Sequence, residues 1–302
     1  MAIKSGDRVV LFGGSGFVGR ALISRLNARG LALRVVTRHP ERHRDLLVYP
    51  TLALVRGDIH DDAVLARALA DCHAVVNLVG ILEERAPGDF ARVHEQLPER
   101  LAIHAPQQRI VHASAAGAHE GAASAYFQSK ARGEARLRAR SPGAVILRPS
   151  IIYGPGDHFV CRFLRLLRLA PLGLPLPQAA GLLAPVHVQD VAQALVESLF
   201  RPRAAGGTYD LCGPEVMTLL NAVHAIARAA GHTLGPWPLS PRVSLWLARL
   251  AQHLPGRPFT VDQWRTLASG AVCASPADSW LGIRPRAFPA ALDELRDGRW
   301  AC

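Results

Sequence analysis

The most chemically suggestive spacing in the chain joins Ser114 to the run YFQSK, which holds Tyr126 and Lys130. A phenol and an ammonium at positions i and i+4 share one face of a helix. A cation beside Tyr126 would favour its phenolate and bring a group of ordinary pKa near 10 closer to working pH, as proton exchange with a carbonyl oxygen requires. Ser114, at the C-terminal end of a predicted strand, is placed to hydrogen-bond the same oxygen. A Tyr-x-x-x-Lys pair by itself describes many solvated helix faces, so its position one element after Ser114 is what singles it out.

A second constellation lies near the N-terminus. VVLFGGSGFVGRALISRL places Gly13, Gly16 and Gly19 directly after a strand and at the opening of a helix. Gly13 permits a tight turn, Gly16 lets the backbone approach a pyrophosphate, and Gly19 lets the helix pack against the sheet, while the helix N-terminus offers unpaired N–H groups to the anion. Ser15 and Phe17, set between the glycines, complete the expected cofactor-contacting turn. The next strand ends at Val36, Thr37 and Arg38, where a site preferring NAD would carry an acid for the ribose hydroxyls. Arg38 can instead bind a 2′-phosphate, with Arg42 as a second contact, so NADP(H) is the preferred cofactor and NAD(H) the alternative.

The elements that must position these residues alternate. Strands are predicted at RVVLF (8 to 12), LALRVVT (31 to 37), TLALVRG (51 to 57), HAVVNLV (73 to 79), RIVHAS (109 to 114) and AVILRP (144 to 149). Helical periodicity runs near 17 to 29, 61 to 71, 90 to 105 and 123 to 140. Such alternation implies right-handed crossovers and an α/β, Rossmann-like doubly wound parallel sheet. The expected division is a dinucleotide-binding domain over residues 1–150 and a smaller substrate or docking lobe over 151–302, with the chain returning toward the sheet near 185–195. In that lobe a helix is expected from about Asp190, its N-cap, to Phe200, and another near Thr218. Two more are expected at SLWLARLAQHL (244 to 254) and TVDQWRTLASG (260 to 270), separated by the turn PGRP.

Composition bounds the rest. A chain of 302 residues with 49% hydrophobic content can bury a substantial core, and its opening, MAIKSGDRVVLFGG, gives no expectation of a secretory signal. The longest uncharged stretch, Leu169 to Val188, is interrupted by Pro171, Pro175, Pro177 and Pro185 and reads as an apolar loop. The five cysteines lack any zinc-like spacing, so no metal is expected, and they read as buried thiols of a reducing cytoplasm. The net charge of +11 comes from widely spread arginines without a basic, aromatic-bearing helix, which argues against nucleic acid.

Taken together, these residues resemble the short-chain dehydrogenase/reductase superfamily in its extended or atypical branch. The segments HAVVNLVGIL (73 to 82), FARVHEQLPERLA (90 to 102), SAYFQSKARGE (124 to 134), ILRPSIIYGPGDHF (146 to 159), PVHVQDVAQAL (185 to 195), TYDLCGPEVMTL (208 to 219) and PFTVDQWRTL (258 to 267) narrow the likeness. In that order they are similar to bacterial relatives of the NAD(P)H-binding accessory subunit of respiratory complex I. The resemblance implies that Gly13, Gly16 and Gly19 embrace the pyrophosphate, that Arg38 meets the 2′-phosphate and that Asp58 and Ile59 meet the adenine. It also implies Val79 and Gly80 beside the adenosine ribose, Lys130 on the nicotinamide ribose, and the turn from Pro149 to Ile151 at the nicotinamide. Where sugar-nucleotide epimerases carry an HLAA-like segment this chain has NLVG, which argues against a nucleotide-sugar substrate.

Two functions follow as expectations. In one, bound NADPH stabilises a cytoplasmic protein that serves respiratory complex I or sits on the inner face of the membrane. The apolar, arginine-bearing segment from Cys161 to Pro177, with Arg162, Arg165 and Arg168, and the helix SLWLARLAQHL are its candidate contacts. In the other, the protein is an NADP-dependent oxidoreductase, epimerase or dehydratase, with Tyr126 as acid/base, Lys130 lowering its pKa and Ser114 orienting a small carbonyl or hydroxyl substrate. Retention of all three residues is compatible with both.

Overall fold

Val9 and Leu11 point to one side of β1 (Arg8–Phe12), Val10 and Phe12 to the other, and all four are fully buried. A strand apolar on both faces belongs in the middle of a parallel sheet covered on both sides. The computed structural model, which describes residues 3–170, 172–232, 235–253, 259–273, 281–296 and 300, places it there. β1 lies between β2 (Ala32–Thr37) and β4 (Ala74–Asn77), followed outward by β3 (Leu52–Arg56) on one side and β5 (Arg109–Ala113) and β6 (Val145–Pro149) on the other. A seventh strand, β11 (Thr208–Leu211), pairs with β6, and every pairing in the sheet is parallel. The strand order reverses between β1 and β4, which opens a crevice at their C-terminal ends.

Each face carries its own helices. Val9, Leu11, Val35, Val76, Val111 and Val145 pack with Leu22 and Ile23 of α1 (Phe17–Ala28) and with Val191 and Leu195 of α6 (Val188–Phe200). On the other face, Val10, Phe12, Val75, Ile110 and Ile146 meet Leu65 of α2 (Asp62–Leu69), Leu97 and Leu101 of α3 (Leu97–His104) and Leu137 of α4 (Ala125–Arg140). The doubly wound plan is thus realised.

Several local expectations are corrected. The predicted helix over 90 to 105 divides into a π-helical turn, Ala91–Gln96, and α3, the turn lying where α4 comes so close that Gly133 has no room for a Cβ against the His94 carbonyl. The N-cap of α6 is His187, whose Nδ1 accepts from the Gln189 amide at 3.3 Å, and not Asp190. The Asp190 carboxylate instead accepts from the Arg286 amide at 2.8 Å. The stretch read as an apolar loop holds three short strands: β8 (Leu174–Leu176), β9 (Leu182–Leu183) and β10 (Val186–His187). They pair respectively with β13 (Pro236–Pro238), β12 (Met217–Thr218) and β7 (Ile152–Tyr153), which satisfies backbone groups that a proline-rich coil would leave exposed.

These strands border a second core in which Tyr153, Leu174 and Leu183 pack with Leu164 and Leu167 of α5 (Phe159–Leu169) and Val223 and Ile226 of α7 (Leu219–Ala229). The last two predicted helices are α8 (Pro241–Ala251) and α9 (Val261–Ser269), the latter opened by a capping box between Thr260 and Gln263. The predicted PGRP turn lies outside the described residues. The expectation of free thiols is also corrected: Cys212 and Cys273, whose Cα atoms lie 6.0 Å apart, form a disulfide, and Cys161 is disulfide-bonded too. Cys72 remains a buried thiol, its pKa pushed up to about 11 by burial.

Candidate active site and dinucleotide cleft

The glycine turn following β1 forms the floor of the crevice. Gly13 has φ +77°, and a Cβ there would lie 3.0 Å from the Leu78 carbonyl carbon, so the turn presses directly on the segment leaving β4. Gly19 is required for a different contact from the one expected. Its Cβ would fall 2.3 Å from the Gly14 carbonyl oxygen, so the glycine lets α1 pack on the turn itself. At Gly16 the nearest atom to an added Cβ is the Gly13 carbonyl oxygen at 3.3 Å, and the residue is exposed. Gly16 also forms the N-cap of α1 without a side-chain cap, which leaves the first helical amides directed at the cleft. An exposed glycine cradle at an uncapped helix end fits a pyrophosphate.

Around this floor stand the other predicted contacts. The Ser15 carbonyl accepts from Arg20 Nε at 3.1 Å, and Phe17 begins α1. Arg38 is exposed just beyond β2, and Arg42 lies in the 3-10 segment Pro40–Val48. Neither has a carboxylate partner among the described residues, whereas nearby Arg56 is paired with Glu41 at 2.7 Å. Asp58 bends the chain by accepting from the His60 amide at 2.9 Å, and Ile59 and Val79 pack against the core on the α2 side. Gly80 faces Lys130: a Cβ on it would be 3.2 Å from the ammonium nitrogen. Pro149 ends β6, Ser150 donates to the Ala271 carbonyl at 2.6 Å, and the Ile151 carbonyl accepts from Val186 at 2.9 Å.

In the structure Ser114 directly follows β5, Lys130 reaches the carbonyl of the serine's neighbour Ala113 and Tyr126 packs against its other neighbour Ala115, an arrangement different from the simple pair read from the sequence. Lys130 is buried and donates to the Ala113 carbonyl at 3.2 Å. Burial lowers its pKa to about 8, partly offset by Glu134. Glu134 itself is held by Arg148, with one contact at 2.8 Å, so it braces α4 to β6. Tyr126 lies among aromatic rings, with its centroid 5.5 Å from His94, 6.1 Å from Phe90 and 5.4 Å from Phe127. Burial pushes its pKa up to about 12. The expected lowering by Lys130 is therefore corrected: desolvation dominates, and the phenol keeps its proton at neutral pH. Ser114 Oγ, just beyond β5, is buried without a hydrogen-bond partner among the described residues, an unmet polar group.

Five supporting residues, His94, Ser129, Asn77, His112 and Asp262, had no local signal in the sequence. The Ile81 amide donates to His94 Nε2 at 3.1 Å, which leaves the proton on Nδ1 to face Ser129 Oγ at 2.8 Å. Ser129 in turn donates to the Tyr126 carbonyl at 2.7 Å. His94 is thus a neutral strut, its pKa lowered to about 2 mainly by burial and then by Lys130. The π-turn that carries it packs so closely on α4 that a Cβ at Gly133 would sit 1.7 Å from the His94 carbonyl oxygen. Asn77 meets His112 Nδ1 at 3.1 Å under the same wall. From the far end of the chain, Asp262 on α9 accepts the Ala125 and Tyr126 backbone amides at 2.7 and 3.1 Å, and so joins the N-cap Ser124 in satisfying the first turn of α4.

Comparison with known proteins places this geometry. The model of the NAD dependent epimerase/dehydratase family matches residues 9–212. The chain is 29% identical over 266 residues to the mouse (Mus musculus) mitochondrial NADH dehydrogenase [ubiquinone] 1 alpha subcomplex subunit 9, covering 85% of this chain and 70% of that protein. It is 32% identical over 201 residues to the ceramide reductase of Caulobacter vibrioides, covering 65% of this chain and 62% of the relative. Among solved structures, the Bordetella bronchiseptica enzyme WbmG in complex with NAD shares the fold, with a TM-score of 0.71 at 18% identity over 97% of this chain and 94% of that one.

Proposed function

The chain belongs to the NAD dependent epimerase/dehydratase family, and on that footing we propose that it holds NADP(H) as a fold-stabilising ligand and acts as an accessory protein to a respiratory complex of the complex I type. The observation that carries the cofactor choice is the end of β2, where Arg38 and Arg42 have no carboxylate partner among the described residues and Thr37 occupies the place of an acid. The accessory role is supported by similarity over most of the chain to the mouse complex I subunit. It also agrees with a wall whose lysine is engaged by the Ala113 carbonyl and whose tyrosine is not primed as a base.

One observation favours a second reading, reduction of a carbonyl substrate. Ser114 Oγ is buried without a hydrogen-bond partner among the described residues, and Tyr126, which packs against the serine's neighbour Ala115, retains its proton, which suits hydrogen-bonding and protonation of a carbonyl oxygen. The Caulobacter ceramide reductase supports this reading from similarity.

Arg38→Ala tests the cofactor assignment. One charge-assisted contact to the 2′-phosphate contributes about 1.5 to 3 kcal/mol, so calorimetry should show NADPH affinity falling roughly ten- to a hundredfold while NADH affinity changes little. Equal losses for both cofactors would remove Arg38 from the phosphate site.

A further inference from the structure

Helix α8 is packed with its apolar side outward. The residues it buries are Ser244 and Ala248, while Val243, Trp246 and Leu250 are exposed, Trp246 by 59%. At 100° per residue these three fall within about 60° of arc, and Arg242 and Arg249 lie together on one flank of the stripe. Leu245 and Leu247 are half-buried at its sides, but a helix whose fully buried positions are serine and alanine while tryptophan faces solvent leaves the stripe of Val243, Trp246 and Leu250 uncovered among the described residues.

The neighbouring surface has the same character. Leu169 at the end of α5 and Leu172 beyond it are 82% and 90% exposed. Trp237 of β13 lies alongside, its ring 3.2 Å from where a Cβ on Gly173 would be. β13 leads into α8 within three residues. The sequence shows what this surface repels. No aspartate or glutamate occurs between Asp157 and Asp190, or between Glu215 and Asp262. Those two stretches supply α5, β8, α7, β13 and α8, so the elements of this part of the lobe contain arginines and no acids.

We propose that this face, centred on Val243, Trp246 and Leu250 and flanked by Arg242 and Arg249, docks on the surface of a bilayer containing anionic lipid. Tryptophan and leucine enter the headgroup boundary, arginines meet lipid phosphates, and α5, β8, α7, β13 and α8 bring no carboxylate to repel the negative surface, while Asp262 of the adjoining α9 is engaged by the α4 amides. Among the described residues no helix is long and apolar enough to cross a membrane, so the contact lies in the interfacial plane. The structure narrows the two contacts expected from the sequence to the helix SLWLARLAQHL, most of which is α8, and the end of α5. Val160, Cys161, Leu164 and Leu167 turn α5 into the lobe core, and Arg165 is engaged by the Cys161 carbonyl at 3.2 Å, which leaves the end of α5 as its contribution.

The test uses the full chain, independently of which dinucleotide it holds. Co-sedimentation is measured with vesicles of phosphatidylcholine alone and of equimolar phosphatidylcholine and phosphatidylglycerol. Binding is expected to the anionic vesicles, to weaken as salt is raised, and to fall about ten- to thirtyfold in Arg242→Gln/Arg249→Gln, whose two charges each contribute to surface attraction. Val243→Ser/Trp246→Ser/Leu250→Ser should lose at least tenfold while its melting temperature stays at the wild-type value, since the altered side chains are exposed. Failure to bind, equal binding to both vesicle types, or unchanged binding by the triple variant would overturn the proposal. So would a wild-type dimer that the triple variant abolishes, because the face would then be filled by a second copy.

Discussion

Gly16→Val is expected to abolish dinucleotide binding, a loss of about a thousandfold or more, in a protein that still folds. The two halves of that expectation come from different contacts. At Gly16 the backbone has φ −80°, open to any residue, and an added Cβ meets only the Gly13 carbonyl oxygen at 3.3 Å. The valine methyls must therefore extend into the cleft, where a pyrophosphate has to approach the turn amides closely. Losing that approach removes several charge-assisted bonds at once, and a thousandfold corresponds to about 4 kcal/mol. Gly19→Val is the contrast, because its Cβ would strike the Gly14 backbone at 2.3 Å and destabilise the turn before any ligand is considered. Calorimetric titration with both cofactors and thermal melts of the ligand-free variants separate these cases. Unchanged affinity in Gly16→Val would place the cofactor elsewhere.

Tyr126→Phe should leave NADP(H) retention unchanged, because the ring contacts with Phe90, His94 and Phe127 do not need the hydroxyl. Any carbonyl reduction the protein performs should slow by about 10² to 10⁴, the usual contribution of a positioned acid. With the phenol pKa near 12, the wild-type reaction should show no limb from tyrosine ionisation at neutral pH. Lys130 supplies the pH dependence instead. Its pKa is about 8 in the ligand-free protein, and an anionic dinucleotide raises it by favouring the ammonium. Linkage then requires affinity to be fully present below about pH 8 and to decline as pH rises from the free value toward the bound one. Lys130→Met should bind more weakly and lose that decline. A wild-type turnover of ordinary enzymatic size that disappears in Tyr126→Phe would establish the reductase and displace the accessory role.

Much of the scaffold was legible because its determinants are local. Strands such as RVVLF are apolar on both faces, helices repeat every three to four residues, and the turn glycines follow a strand and open a helix. The chemistry at Tyr126 was less legible because its determinants are not local. The spacing of Tyr126 and Lys130 shows a shared helix face, but the phenol's pKa is governed by its desolvation on burial, among rings that include His94 from another element. Asp262 caps α4 from 136 residues away, a contact that no periodicity encodes. Apolar periodicity also cannot distinguish the π-turn around His94 from an α-helix, and scattered cysteines do not reveal that Cys212 and Cys273 meet across a separation of 61 residues. The position of Arg38 just beyond β2, in contrast, was readable in sequence because strand ends in a parallel sheet occupy fixed places around the crevice.

The accessory account depends above all on a dinucleotide that stays bound. The direct measurement is to purify the protein without added cofactor, denature it, and identify and quantify the released nucleotide by mass spectrometry. The account predicts NADP(H) at close to one molecule per chain, surviving dialysis because the ligand stabilises only the folded state. Protein that releases no nucleotide, or releases NAD(H) in place of NADP(H), would contradict it.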